Sequence, residues 1–329
     1  MKVAVTGGTG FIGSHITKKL EDEGNDVVVI SDFSSGSTQN LSDLGVNPRL
    51  LVGDLRNKEF AIKSLKGIAK VYHFAADIGN VAYLHGSNLR EQSALMNGIT
   101  IDTNVFGACV ENEIESIIYA SSVSVYPRSE QMGQEVAFKE EDSERMIDPE
   151  GGYGWAKFIA EKQLEVLKGI EIGVARIFHA YGPNLYLKED RSQVIGSLIR
   201  KAIRYPKEDF VVWGDGTQRR AFLYVDDFLD ALFKLDRYVE TKGNLTVNFG
   251  STEDVTIRDL AKMVIDLSGK DIPLKFDPSK PTGVLSRLPD ISRAEKLLSW
   301  KPTTSLKDGL KKTYEWAERR LSSESVSLA

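Results

Sequence analysis

The chain has 329 residues, 41% of them apolar and 27% charged, with a net charge of −5. This is the composition of an ordinary globular protein with one large or two modest domains. The acidic balance argues against a general nucleic-acid or anionic-membrane binder. The only cysteine is Cys109, which leaves no disulfide framework and no Cys-based metal site. Four histidines without His-x-x-x-His spacing argue against a zinc site. No apolar run approaches the ~18 residues needed to cross a bilayer. No basic, apolar leader is visible before the first strand, so a cytoplasmic setting is expected.

The first predicted element is the short buried strand KVAVT, followed by the glycine-rich turn GGTG. A helix comes next, FIGSHITKKLEDEG, with Ile12, Ile16 and Leu20 on one face and Gly24 closing it. DVVVI is a second continuous apolar strand, and RLLVG, VYHFAA and SIIYASS are further short ones. KEFAIKSLKG and ITIDTNVFGACVENE are helix-like segments between them. Strands that are apolar throughout, alternating with helices, predict a parallel sheet covered on both faces. The expected fold of this part is therefore a Rossmann-type, doubly wound α/β domain. Only the tail SSESVSLA reads as frayed.

The turn TGGTGFIG holds Gly7, Gly8, Gly10 and Gly13 between the first strand and its helix. Glycines there permit a tight turn, close backbone approach to a pyrophosphate and close contact of helix with strand. An acid, Asp32, ends the second strand, where a carboxylate accepts hydrogen bonds from the ribose of NAD and repels the 2′-phosphate of NADP. No Lys or Arg occurs between Lys19 and Arg49 to receive such a phosphate. These features predict NAD binding by Gly7, Gly10, Phe11, Ile12, Gly13 and Asp32. Asp54 and Leu55 of GDL, and Phe74, Ala75 and Ala76 of HFAA, end two further strands at the same edge.

Two Tyr-x-x-x-Lys pairs occur, Tyr153/Lys157 and Tyr238/Lys242. With 11 tyrosines in the chain, about one such pair is expected by chance. On a helix either pair shares one face. Tyr238 and Lys242 end a helix on a glycine and read as a solvated helix end. Tyr153 and Lys157 instead open a helix after Ser122, which stands at a strand's carboxyl end, where ligands bind in this class.

TGGTGFIG, GDL, HFAA, SSVSVYP, YGWAK, RIFHAYGPN, WGDGTQRRAFLYVDD, VNFGS and DISRAEKLLSWKP occur in the order found in the extended short-chain dehydrogenase/reductases. The chain resembles their nucleotide-sugar epimerases and dehydratases over nearly its whole length. The resemblance implies a catalytic trio of Ser122, Tyr153 and Lys157, with Asn97 at the family's helix asparagine beside the cofactor. It also implies that Arg220 and Arg287 grip the nucleotide diphosphate, as guanidinium forks suit phosphate oxygens. Ser124 and His179 fall at substrate-facing positions. His179 serves there as a phosphate or hydroxyl ligand, or else as a packed core histidine. The resemblance implies that residues 1–178 form the NAD-binding Rossmann domain, with segments at about 221–250 returning to it, and that 179–329 form mainly a smaller, interleaved substrate-binding domain.

The chemistry explains the trio. A free phenol titrates near pKa ~10, too high for a base at neutral pH. A cation ~4 Å away contributes roughly 4 kcal/mol at an effective dielectric of ~20, enough to bring Tyr153 toward neutrality. Other members carry extra acid/base groups after the serine. The wording is closest to GDP-mannose 3,5-epimerases, yet their cysteine falls at Ser124 and their lysine at Gln193, with Val123 alongside. Oxidation and re-reduction at C4 is the simplest chemistry left. The reading is an NAD-dependent nucleotide-sugar 4-epimerase, with a 3,5-epimerase, a dehydratase or a non-catalytic NAD-binding protein as alternatives. Trp155, Phe158, Ile159, Leu164, Val166 and Leu167 give the Tyr153 helix apolar residues on more than one side, so one face can cover the sheet and another needs a partner. The resemblance implies that this partner is the same helix of a second copy, in a homodimer.

Overall fold

The computed structural model describes residues 1–133 and 135–327. Seven strands form one all-parallel sheet, in the order 245–249, 171–177, 116–122, 70–73, 2–6, 26–31 and 49–52. Its apolar strands explain themselves once both faces are covered. Val3, Val5, Val27 and Val29 point into one core, while Ala4, Val28 and Ile30 point into the other. Neither face of these inner strands meets water, so no polar alternation is needed.

Helices Lys58–Ser64, Asn88–Glu111 and Gly151–Val166 cover one face, and Phe11–Asp22 and Val225–Lys242 the other. The strand order reverses between 2–6 and 70–73, which opens a crevice at their carboxyl ends. The fold class is that expected from the strand pattern.

A second core lies under the helices Val194–Arg204, Ile257–Ser268 and Leu306–Ser327. Beside it runs a four-stranded sheet in the order 254–256, 219–221, 286–289, 137–138. The chain crosses between the two bodies several times. The 225–242 helix and the strand Leu245–Phe249 join the large sheet, and so do Ile291, Ala294, Leu298 and Trp300. The helix Leu306–Ser327 takes in the tail as far as Ser327, and residues 328–329 lie outside the described ones. Among the described residues no helix is long and apolar enough to cross a membrane.

Candidate active site

The carboxyl ends of the large sheet and the inner face of the second domain enclose a cleft of about 680 Å³. Gly7, Gly10, Phe11, Ile12, Gly13, Asp32, Asp54, Leu55, Phe74, Ala75, Ala76 and Asn97 line one side. Ser122, Ser124, Tyr153, Lys157, His179, Arg220 and Arg287 line the rest. Residues far apart in the chain thus converge on one space.

The first half of the cleft fits a dinucleotide. A Cβ on Gly13 would lie 2.2 Å from the Gly7 carbonyl oxygen, and one on Gly7, itself at φ +69°, 2.9 Å from the Phe74–Ala75 backbone. Only glycine lets this turn close so tightly on its neighbours. The Phe11–Asp22 helix begins on Gly10 with no capping side chain and no acid in its first turn. Its leading N–H groups therefore face no competing protein acceptor, as an anion site requires. Asp32 is exposed, and its Oδ1 accepts from the Ser34 N–H at 2.9 Å.

Space supplies a cation that the linear sequence did not. Arg56 is raised above its ordinary value by its hydrogen bonds to Asp54, with Asp32 and Asp77 adding charge. Its guanidinium is engaged, however: Nε lies 2.9 and 3.0 Å from the Asp54 oxygens, and one terminal nitrogen donates to Asn97 Oδ1 at 3.1 Å. Asn97 in turn donates to Asp77 at 2.8 Å, so its amide knits the cleft edge together.

Tyr153 and Lys157 occupy successive turns of the Gly151–Val166 helix and are 8% and 3% exposed. A Cβ on Gly154 would lie 2.4 Å from the Ser124 carbonyl oxygen, so glycine lets this helix start against the serine turn. Ser122 caps that turn, accepting from the Ser124 N–H at 3.2 Å. Burial holds the Tyr153 phenol well above its ordinary value; a hydrogen bond with Ser122 pulls it down and Asp102 pushes it up. Desolvation, which the Coulomb figure leaves out, thus opposes the pull of the lysine on the phenol. Lys157 Nζ sits 6.0 Å from the Tyr153 ring centroid and donates to Tyr119 Oη at 3.0 Å. Burial also lowers Lys157 itself, against Asp102 and Glu161. A phenolate at Tyr153 needs a further positive charge in the cleft.

On the substrate side the two expected arginines line the cleft and make contacts within the protein. Arg220 donates to the carbonyl oxygens of Arg219 at 2.7 Å, Val284 at 2.8 Å and Leu285 at 3.3 Å. Arg287 binds Gln131 at 3.1 Å and pairs with Glu150. Burial pushes each guanidinium down to about 10. Both forks are largely engaged by the protein, where the resemblance implied a diphosphate grip. Arg191 is less committed: it stacks 4.3 Å from the Tyr83 ring centroid, with Asp190 3.9 Å away. Sequence reasoning missed it, because nothing in EDRSQ distinguishes it from a surface arginine.

His179 sits at φ +45°, its ring 5.8 Å from Phe222. Burial and then Arg220 push it down to about 3, so it is neutral. Its Nε2 is buried without a protein partner, which is costly unless a ligand meets it. Ser124 Oγ lies 3.5 Å from Glu150, a buried carboxylate at the start of the Tyr153 helix that the sequence pattern did not reveal.

The fold and cleft define a Rossmann-type protein built to hold a dinucleotide beside a buried Ser–Tyr–Lys set. Residues 3–250 match the model of the NAD dependent epimerase/dehydratase family, and the chain belongs to that family. It is 31% identical to GDP-mannose 3,5-epimerase 1 of Oryza sativa subsp. japonica, over 98% of this chain and 83% of that protein. UDP-glucose 4-epimerase of Thermotoga maritima, solved with UDP-glucose, superposes with a TM-score of 0.85 at 26% identity, covering 98% of this chain and 100% of that one. UDP-glucuronic acid 4-epimerase of Bacillus cereus, solved with UDP-glucuronic acid and NAD, gives 0.82 at 30% identity over 97% and 100%.

Proposed function

We propose that this protein is an NAD-dependent nucleotide-sugar 4-epimerase working through a transient 4-keto sugar, with Tyr153 as the base. The observation that carries this reading is the state of the acid/base groups around the cleft. The nearby carboxylates are engaged: Glu150 by Arg287, Asp77 by Tyr83 and Asn97, and Glu91 by His85 and the Gly152 N–H. The buried Tyr153 hydroxyl, hydrogen-bonded to Ser122, is the group placed to exchange a proton with a sugar hydroxyl.

Bound NAD⁺ supplies a hydride acceptor, later the donor, and a positive charge that favours the phenolate. Ser122 holds the sugar hydroxyl in line with Tyr153. Tyr153 takes the hydroxyl proton as the keto group forms and gives it back on reduction from the other face. Lys157 adds its charge from one turn further on. His179 Nε2 and Arg191 are the groups this reading sets against the sugar or its diphosphate. The glycine turn, Asp32 and the NAD-bound structure of the B. cereus relative support NAD as the cofactor.

A second reading, epimerisation at C3 and C5, is favoured by the 31% identity to GDP-mannose 3,5-epimerase 1. Position 124 is a serine and position 193 a glutamine, neither with a useful pKa near neutrality. Incubation with UDP-, GDP- and CDP-sugars in D₂O, read by mass spectrometry and proton NMR, separates the two. A 4-epimerase returns the same hydride to C4, so no solvent deuterium enters the ring. Deuterium at C3 or C5 in step with turnover would overturn the 4-epimerase reading.

The proposal includes a homodimer. Leu89, Met96 and Val110 of one helix and Trp155 and Val166 of the next are exposed, an apolar surface suited to a second copy. Phe158 and Leu164, on the helix of Trp155, are buried within the chain.

A further inference from the structure

Behind Lys157 runs a closed chain of buried polar groups that the proposed reaction does not use. Thr6 Oγ1 accepts from the N–H groups of Phe74 and Ala75, both at 3.1 Å. With its lone pairs taken, its proton goes to His73 Nδ1 at 2.6 Å. The imidazole proton is therefore on Nε2, which donates to Asp102 Oδ1 at 3.0 Å. Tyr119 Oη donates to Asp102 Oδ2 at 2.8 Å, which leaves its lone pair to accept from Lys157 Nζ at 3.0 Å. Every donor has one direction, and the only charges along the chain are the Asp102 carboxylate and the Lys157 ammonium.

We propose that Asp102 is a positioning residue, the buried counter-ion that holds Lys157 charged and aimed through Tyr119. The inference rests on the reading of Tyr153 and Lys157 as the chemical pair. Asp102 is 2% exposed, and a carboxylate so placed needs both a cation and hydrogen bonds to persist. His73 supplies one hydrogen bond and stays neutral, lowered by burial against the pull of Asp102. The other charged group facing Lys157 is Glu161, on the same helix. Its carboxylate is already bound by Arg176 at 2.6 Å and by Ser121. Asp102 is thus the carboxylate not matched by another cation.

The test pairs a pH–rate profile with an ultraviolet titration of tyrosinate in the NAD-loaded protein, using Tyr153→Phe as the blank. Removing one negative charge lowers the pKa of the phenol and of the ammonium alike. Asp102→Asn is therefore expected to move both limbs of the profile, and the Tyr153 tyrosinate midpoint, about one pH unit toward acid. Tyr119→Phe keeps the carboxylate and should lower the rate without that displacement. An Asp102→Asn protein that melts like wild type, yet leaves limbs and midpoint in place, overturns the inference. If Asp102→Asn does not fold, an unchanged rate in Tyr119→Phe overturns it instead. The titration needs no substrate, so a moved midpoint without turnover of any nucleotide sugar would sink the substrate reading and keep the counter-ion.

Discussion

The two Tyr-x-x-x-Lys pairs have the same spacing on the same kind of element and share little else. Tyr153 and Lys157 are buried at the foot of the cleft, tied to Ser122 and Tyr119. Tyr238 is half-buried against the outer side of the sheet, and Lys242 is exposed in the last turn before Gly243. Spacing makes two side chains neighbours on a helix; it does not make them chemical. What differs is desolvation, which leaves a phenol and an amine with pKa values set by their partners rather than by water.

Substituting the two tyrosines tests this most directly. Tyr153→Phe keeps the ring and removes the titratable oxygen, so turnover should fall by about 10³-fold, within the usual span for a lost acid/base group. NAD content after purification should not change. Tyr238→Phe should stay within about twofold of wild type, as expected for a group with no part in proton transfer. Steady-state rates on any accepted nucleotide sugar decide it; equal rates in both variants would erase the distinction between the pairs.

The glycines beside each pair extend the comparison at smaller scale. An alanine methyl at Gly154 would meet the Ser124 carbonyl oxygen, so the helix must shift away from Ser122. A displacement near one ångström costs roughly 10²-fold in rate. Gly243 has open space around its Cβ position but a φ of +93° that side chains resist. Gly243→Ala should cost about 1–3 kcal/mol of stability through backbone strain, with kcat unchanged. Urea melts read beside turnover separate the two; an active Gly154→Ala enzyme would mean the fit of the helix on Ser122 is not what places Tyr153.

The parts legible in the sequence were those encoded over short distances. Apolar runs such as VVVI fixed strands, and the glycine turn fixed the cofactor end, because turn, helix start and acid follow one another in the chain. Long-range partners were not legible. The proximity of Arg56 to Asp32, the engagement of Arg220 by carbonyl oxygens and the Glu150–Arg287 pair all depend on which distant segments meet. Asp102 did carry a signal. It lies on a helix beside Val105, Phe106 and Cys109, all buried, and a carboxylate among such residues demands a partner. The return of residues 291–300 to the first core had no local mark, since an amphipathic segment does not name the surface it covers.

The smallest expected effect concerns what Lys242 does in place of chemistry. It stands in the last turn of the Val225–Lys242 helix, where backbone carbonyls at the helix end carry partial negative charge. A cation there stabilises by about 0.3–1 kcal/mol at low ionic strength, and salt screens it because the site is open to water. Lys242→Met should therefore lower the urea midpoint slightly in dilute buffer and leave it at the wild-type value in concentrated salt. Lys157→Met should behave differently, because its ammonium interacts with Tyr119 and Asp102 where salt does not reach. Its effect on the midpoint, of either sign, should persist at high salt. Parallel melts of the two variants at low and high ionic strength measure this. If the Lys242 effect survived salt, or the Lys157 effect vanished with it, burial would not be what separates the pairs.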